Sequence, residues 1–219
     1  MESPFRDPVP HGTRIIETLG WWPDSGAPDA PAHLARMGRT AAALGYPLDR
    51  AKAQALLALS ADAPLRVRLT LGAQGDMACE TAPLPPAAPV WRLALAVARL
   101  DPADIWLRHK TTQRGIYDRA RAALPAGVDE WLFLNSRDEV CEGTITTIFV
   151  QTADGAHVTP PLACGLLPGI LRARLLAQGW QERVLDMGDL ARARQIWVGN
   201  ALRGLIPAQL VTPGSAGVA

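Results

Sequence analysis

Arg108-His109-Lys110-Thr111-Thr112-Gln113-Arg114 is the stretch on which the reading of this chain turns. It follows a Pro- and Ala-rich middle and precedes a strand-rich second half. Its lysine has no acidic neighbour between Asp104 and Asp118. Only a neutral amine attacks a carbonyl, and a partly buried lysine near other cations gives up its proton more easily. Arg108 and Arg114 are candidates for those cations, which makes Lys110 the candidate to hold an aldehyde cofactor as a Schiff base. Taken alone, the segment reads first as a solvated basic loop at a domain joint, the commoner setting for clustered Lys and Arg. Other segments change that balance.

The chain has 219 residues, enough for one large domain or two small ones with a real core. It is 48% hydrophobic and 20% charged with a net charge of +1, which provides no electrostatic reason to expect nucleic acid or an anionic membrane. Arg, Asp or Pro interrupts every apolar run before spanning length, so no transmembrane helix is expected. Met1-Glu2-Ser3-Pro4-Phe5-Arg6-Asp7-Pro8 carries acids and prolines where a signal peptide needs an apolar run. Cys79, Cys141 and Cys164 are odd in number and far apart. They suit neither a disulfide framework nor a metal site. They read as small buried or half-buried residues of a cytoplasmic protein.

Thr13 to Trp22 reads as a strand, and Pro31 to Leu44 as a helix with Leu34, Met37, Ala41 and Leu44 on one stripe and Gly45 as its stop. Asp49 is placed to cap a second helix, Arg50 to Leu59. Leu65 to Leu71 alternates as a half-buried strand, with Arg66, Arg68 and Thr70 on its polar face. If that face lines a cleft, Arg68 would hold a substrate carboxylate through two parallel hydrogen bonds; if it faces water, the residue is unremarkable. Gly72 to Pro89 reads as loop, Trp91 to Val97 as strand, and Asp101 to Ile105 as linker. This divides the chain into a small α/β domain, 1–104, and a larger one, 105–219. In the second, Ile116 to Ala123 is helical. Strands follow at Glu130 to Leu134, Glu139 to Glu142, Thr146 to Gln151 and His157 to Thr159. A helix runs from Ile170 to Gln178, a strand from Gln195 to Gly199, and a last helical turn from Asn200 to Leu202. The tail from Thr212 is rich in Gly, Ser and Ala and is expected to be frayed.

Leu167-Pro168-Gly169-Ile170-Leu171-Arg172 and Val198-Gly199-Asn200-Ala201-Leu202 each pass through glycine into an expected helix start. Such a start offers backbone N–H groups and a positive dipole end to a phosphate. Glu142 reads as a strand-end acid or, if buried, as the partner that keeps a pyridine nitrogen protonated. The scattered histidines form no zinc pattern, no serine sits in G-x-S-x-G, and Gly72-Ala73-Gln74-Gly75 lacks the lysine of a phosphate-binding loop. Metallohydrolase, serine hydrolase and nucleotidase readings are thereby removed.

These pieces together resemble the class IV (fold type IV) aminotransferase family. The resemblance runs in order through Ile16-Glu17-Thr18-Leu19, His33-Leu34-Ala35-Arg36-Met37, His109 to Arg114, Val140-Cys141-Glu142-Gly143-Thr144, Phe149, Thr159-Pro160-Pro161-Leu162, Leu167 to Ile170 and Asn200-Ala201-Leu202. It implies two α/β domains with pyridoxal 5′-phosphate in the crevice between them, usually in a homodimer. It further implies that Lys110 forms the Schiff base and shuttles protons, that Glu142 faces the pyridine nitrogen, and that Arg36 reaches the phosphate. Gly169, Ile170 and Leu171, with Asn200 and Ala201, would cradle that phosphate. Leu171, Asn200-Ala201 and Thr147 stand where many transaminases of the family carry Thr, Ser or Thr, and Asn. The opening also reads short by one strand. The pattern is most similar to aminodeoxychorismate lyase. The expectation is a lyase that makes 4-aminobenzoate and pyruvate from 4-amino-4-deoxychorismate, a step towards folate. The alternatives are a D- or branched-chain amino acid aminotransferase, or a non-catalytic relative acting as a binding module.

Overall fold

The computed structural model describes residues 5, 8–86 and 89–212. The absent leader and the frayed tail expected above fall largely outside those residues. The described chain divides into two compact units. One contains residues up to Pro86 together with His109–Gln113; the other contains the remainder.

The first unit is a three-stranded antiparallel meander backed by two helices: β1 (Ile15–Trp21), α1 (Ala30–Leu44), α2 (Arg50–Leu57), β2 (Leu65–Leu71) and β3 (Met77–Pro83). Alternation in β1 and β2 sends Ile15, Leu19, Trp21, Val67, Leu69 and Leu71 to one face, where they pack on Leu34, Met37 and Ala41 of α1. Pro31 lies in the first turn of α1, and Gly45 closes it at φ 71°. Asp49 caps α2 by accepting the Lys52 N–H at 3.0 Å. The expected loop from Gly72 to Pro89 instead contains β3, paired with β2 along its whole length from Leu71↔Met77 to Leu65↔Pro83. Its residues alternate between half-buried and exposed, so no apolar face marks it.

The second unit contains β4 (Trp91–Leu95), α3 (Gly115–Ala122), β5 (Glu130–Leu134), β6 (Val140–Gly143), β7 (Thr147–Gln151), β8 (His157–Thr159), α4 (Ile170–Ala177), β9 (Gln181–Glu182), α5 (Met187–Ala191), β10 (Gln195–Asn200) and β11 (Gly204–Leu210). The strand order is β10-β11-β4-β5-β6-β7-β8-β9, and β10 also pairs with β7, so β4, β5, β6, β7, β10 and β11 close into a ring. One apolar cluster inside this sheet includes Leu93, Leu132, Val140, Ile148, Val198 and Ile206. A second joins α3 to the sheet through Tyr117, Phe133, Cys141 and Leu166. A third, of Phe149, Leu171 and Leu175 with Trp180 and Trp197, seats α4.

One expectation changes here. Asn200-Ala201-Leu202 does not open a helix; it turns β10 into β11 as an antiparallel hairpin. The Asn200 carboxamide oxygen accepts the N–H groups of Leu202 and Arg203, at 3.1 and 3.0 Å, which is an Asx turn. Pro207 lies within β11. There the strand is paired on the β10 side, while its ladder with β4 begins only at Ala208.

Candidate active site

In the first unit, the lysine segment lies along the start of β1. The Lys110 carbonyl accepts the Ile16 N–H at 2.8 Å, the Thr112 N–H reaches the Arg14 carbonyl at 2.9 Å, and the Arg14 N–H returns to the Thr112 hydroxyl at 2.9 Å. Gln113 Nε2 donates to the Thr13 hydroxyl at 2.8 Å. His109 Nδ1 lies 3.2 Å from the Thr40 hydroxyl of α1. The backbone on both sides of Lys110 is therefore fixed, and the lysine itself is half-buried.

Arg36 is buried in α1. Its Nε and Nη2 donate to the two oxygens of Glu17, at 2.9 and 2.5 Å, and His33 Nδ1 lies 2.7 Å from Glu17 Oε2. Burial alone would raise the Glu17 carboxyl; the charge and hydrogen bonds of Arg36, then those of His33, outweigh it and hold Glu17 below its ordinary value. Glu17 had no assigned role in the sequence reading. Its signal was legible, because Ile15, Glu17, Leu19 and Trp21 share the apolar face of β1 and a carboxylate there requires partners. His33 and Arg36 meet that need at helical i, i+3 spacing. Arg68 stands half-buried on the opposite face, with Thr18 and Glu80 directly across from it.

The second unit brings the other residues together. Glu142 is buried on β6 at 6% exposure. The Tyr117 hydroxyl donates to its Oε1 at 2.7 Å, and the Leu167 N–H lies 3.2 Å from both oxygens. From Leu167 the chain passes Pro168 and Gly169 into α4, a distance of roughly 10 Å at full extension. Gly169 is the N-cap, in extended conformation, and no side chain caps the helix. The N–H groups of Ile170 and Leu171 precede the first intrahelical bond, Ala173 N to Gly169 O. The Leu171 side chain is buried against Phe149 and Leu175, so only its backbone is available to a ligand at the helix start.

Thr147 pairs with Glu142 on one side and with Gly199 on the other. Its hydroxyl sits 3.0 Å from the point where a Cβ on Gly169 would stand. A Cβ on Gly199 would meet the Gly204 carbonyl at 2.3 Å and Leu171 Cδ2 at 2.8 Å, so the hairpin and α4 come together only around glycine. Asn200 Nδ2 donates to the Ile145 carbonyl at 3.1 Å. The turn from Thr144 to Thr146 is built on Glu130, fully buried, which accepts from both threonine hydroxyls and from the Ile145 N–H. Tyr117 and Glu130 were both missed in the sequence reading; neither stands in a pattern separable from core and strand-end residues. Arg114, proposed as a cation for Lys110, donates to Asp118 at 2.8 Å and to the Thr144 carbonyl at 2.8 Å.

The family model for class IV amino-transferases matches residues 14–211, and the chain belongs to that family. It is therefore a pyridoxal-phosphate-dependent enzyme. Among solved structures, a candidate amino-acid aminotransferase from Mesorhizobium loti is similar at 44% identity, covering 91% of this chain and 100% of that one, with a TM-score of 0.86. The 4-amino-4-deoxychorismate lyase from Pseudomonas aeruginosa matches at 25% identity, covering 91% and 83%, with a TM-score of 0.77. A hypothetical aminotransferase from Mycobacterium tuberculosis in its PLP-bound form matches in fold at 20% identity, covering 91% and 82%, with a TM-score of 0.76. No curated protein sequence matches the chain.

The residues of the second unit fit this cofactor. An uncapped helix start behind Gly169 and Gly199 suits a phosphate, and the buried Glu142 carboxylate suits a protonated pyridine nitrogen. Among the described residues, no helix is long and apolar enough to cross a membrane, and no group of three His, Cys, Asp or Glu is placed to hold a metal ion.

Proposed function

We propose that this chain is a lyase that converts 4-amino-4-deoxychorismate to 4-aminobenzoate and pyruvate. The observation that carries the reading is the chemistry of the helix start and hairpin. Leu171 turns its side chain into an apolar cluster, and Asn200 spends its carboxamide on Leu202, Arg203 and Ile145. The hydroxyls that many transaminases of the family carry at these positions are replaced by backbone donors. Similarity to the Pseudomonas aeruginosa lyase supports the same reading.

Pyridoxal phosphate supplies an aldehyde for the substrate amine and a ring that accepts electrons. Lys110 would provide the anchoring amine, and its Nζ, when free, would take the proton from the substrate ring. Glu142 would face the pyridine nitrogen and keep it protonated. Arg36, oriented by Glu17, would reach the phosphate, and so would the N–H groups of Ile170, Leu171 and Ala201. Loss of that proton with cleavage of the ring C–O bond would make the substrate ring aromatic and release enolpyruvate, which becomes pyruvate when its methylene carbon takes a proton back. Arg68 is the proposed partner of a substrate carboxylate. The homodimer implied by the family resemblance and a cytoplasmic setting, which suits three free cysteines, belong to the same proposal.

A second reading is an amino-acid aminotransferase, favoured by the 44% identity to the Mesorhizobium loti protein. Purified holoenzyme separates the two. The lyase releases pyruvate and 4-aminobenzoate from 4-amino-4-deoxychorismate; the aminotransferase moves an amino group from a D- or branched-chain amino acid to 2-oxoglutarate. Transfer without pyruvate release from aminodeoxychorismate would overturn the lyase reading. Neither reaction in a protein that holds no cofactor would leave the binding-module alternative.

A further inference from the structure

Tyr117 was assigned no part in the reading above, yet its hydroxyl ends on the one carboxylate proposed to face the cofactor ring. The residue is 7% exposed, on α3, with its ring edge-on to Phe133 at a centroid distance of 5.3 Å. Packing with Phe133 and the rest of that cluster accounts for the ring. It does not account for the oxygen, which lies 2.7 Å from Glu142 Oε1. A buried hydroxyl requires a partner, and most side-chain hydrogen bonds go to backbone or water rather than to another side chain. A carboxylate partner makes the bond charge-assisted, shorter and roughly twice as strong as a neutral one.

We infer that Tyr117 is a positioning residue for Glu142: its phenol fixes the carboxylate and favours its ionised form, so that the proton between Glu142 and the cofactor's ring nitrogen stays on nitrogen. The inference rests on the reading of Glu142 as the partner of that nitrogen. Where a carboxylate meets a pyridinium, the proton sits with whichever partner binds it more strongly. Each donor already on the carboxylate lowers its hold. Tyr117 and the Leu167 N–H are two such donors, and both belong to the same unit as Glu142.

The surrounding groups agree. Burial, then the Glu142 charge, pushes the Tyr117 phenol far above its ordinary range, so it remains a donor. Burial, then Glu142, likewise raises the neighbouring Cys141 thiol, which points at the Cys164 carbonyl at 3.2 Å and brings no second anion. The Arg114 guanidinium lies 5.5 Å from the centroid of the Tyr117 ring.

The test is the 15N chemical shift of ring-labelled pyridoxal phosphate bound to the wild type, to Tyr117→Phe and to Glu142→Gln near neutral pH. Tyr117→Phe removes one oxygen and keeps the ring against Phe133, and circular dichroism of the cofactor-free variant checks its fold. The wild type is expected at the protonated position, with Tyr117→Phe displaced towards the unprotonated one and Glu142→Gln displaced at least as far. Turnover of Tyr117→Phe should fall about tenfold or more, the scale of one lost hydrogen bond to a charged group. Coincident wild-type and Tyr117→Phe shifts, with Glu142→Gln displaced, would overturn the role of Tyr117 alone. Coincidence of all three would overturn the reading of Glu142 and this inference with it. A purely structural Tyr117 would lower the melting temperature and leave the shift in place.

Discussion

Glu17 and Arg36 face each other across the interface of β1 and α1 as a two-pronged ion pair, with Nε to Oε1 at 2.9 Å and Nη2 to Oε2 at 2.5 Å. Both side chains are almost fully withdrawn from water, and His33 completes the set. A guanidinium proposed to bind phosphate is thus aimed by a carboxylate rather than by its own flexible stem.

Replacing Glu17 with Ala should therefore cost more than the loss of a surface ion pair. It leaves Arg36 buried without its carboxylate, a change that typically destabilises by about 3–5 kcal/mol. Urea denaturation of the cofactor-free protein would measure it. Cofactor affinity should fall as well if Arg36 binds the phosphate; unchanged affinity in a folded variant would remove that role.

Acid should unfold the protein with a sign set by its depressed carboxyls. Arg137 first, then Asn135, hold Glu139 at about 2, against an ordinary value of 4.5. Glu17 is lowered in the same direction. A carboxyl lowered in the folded state contributes stability that is fully present above its unfolded value and is lost as pH falls through the folded one. Stability should therefore decline from about pH 4.5 towards pH 2. Glu139→Gln should flatten part of that decline. An identical slope in the variant would contradict the pairing.

Gly199→Ala tests the cradle. Its added methyl would collide with the Gly204 carbonyl backbone at 2.3 Å, which cannot swing aside as a side chain can. The hairpin must open or α4 must move. Cofactor affinity should drop about tenfold or more, with destabilisation of about 1–3 kcal/mol as for overpacked cores. Fluorescence titration of the apoprotein and thermal melts read the two separately.

Lys110→Ala keeps the bonds that tie this segment to β1: the Lys110 carbonyl to Ile16, the paired Arg14 and Thr112, and Gln113 to Thr13; circular dichroism should therefore match the wild type. Borohydride reduction after addition of pyridoxal phosphate should place a pyridoxyl group on the peptide carrying Lys110 in the wild type and none in the variant. Label on Lys52, the one other lysine of the chain, in place of Lys110 would refute the assignment. Arg68→Ala should raise KM for the substrate about tenfold or more, the loss of a hydrogen-bonded charge, with little change in kcat.

Much of the architecture was written in local pattern. The strand β1, the alternation of β2, the stripe of α1 with its Pro31 start and Gly45 stop, and the Asp49 cap all appear where the sequence implied them. These features depend on residues within a turn or a strand of one another. The order of Lys110, Glu142, Gly169-Ile170 and Asn200-Ala201 was legible as a family resemblance before any coordinate existed.

What the sequence withheld was decided by distant partners. β3 is a strand because β2 offers it a ladder, not because its own residues form an apolar face. Asn200 turns a hairpin rather than capping a helix because β11 returns beside β10, and Pro207 is tolerated where the ladder with β4 has not yet begun. Tyr117 and Glu130 reach Glu142 and the Thr144–Thr146 turn from across the sheet, over separations of 25 and 14 to 16 residues. A local window reads the period of burial and the chemistry of turns. A buried polar group finds its partner in space, and only the closed ring of strands brings those partners together.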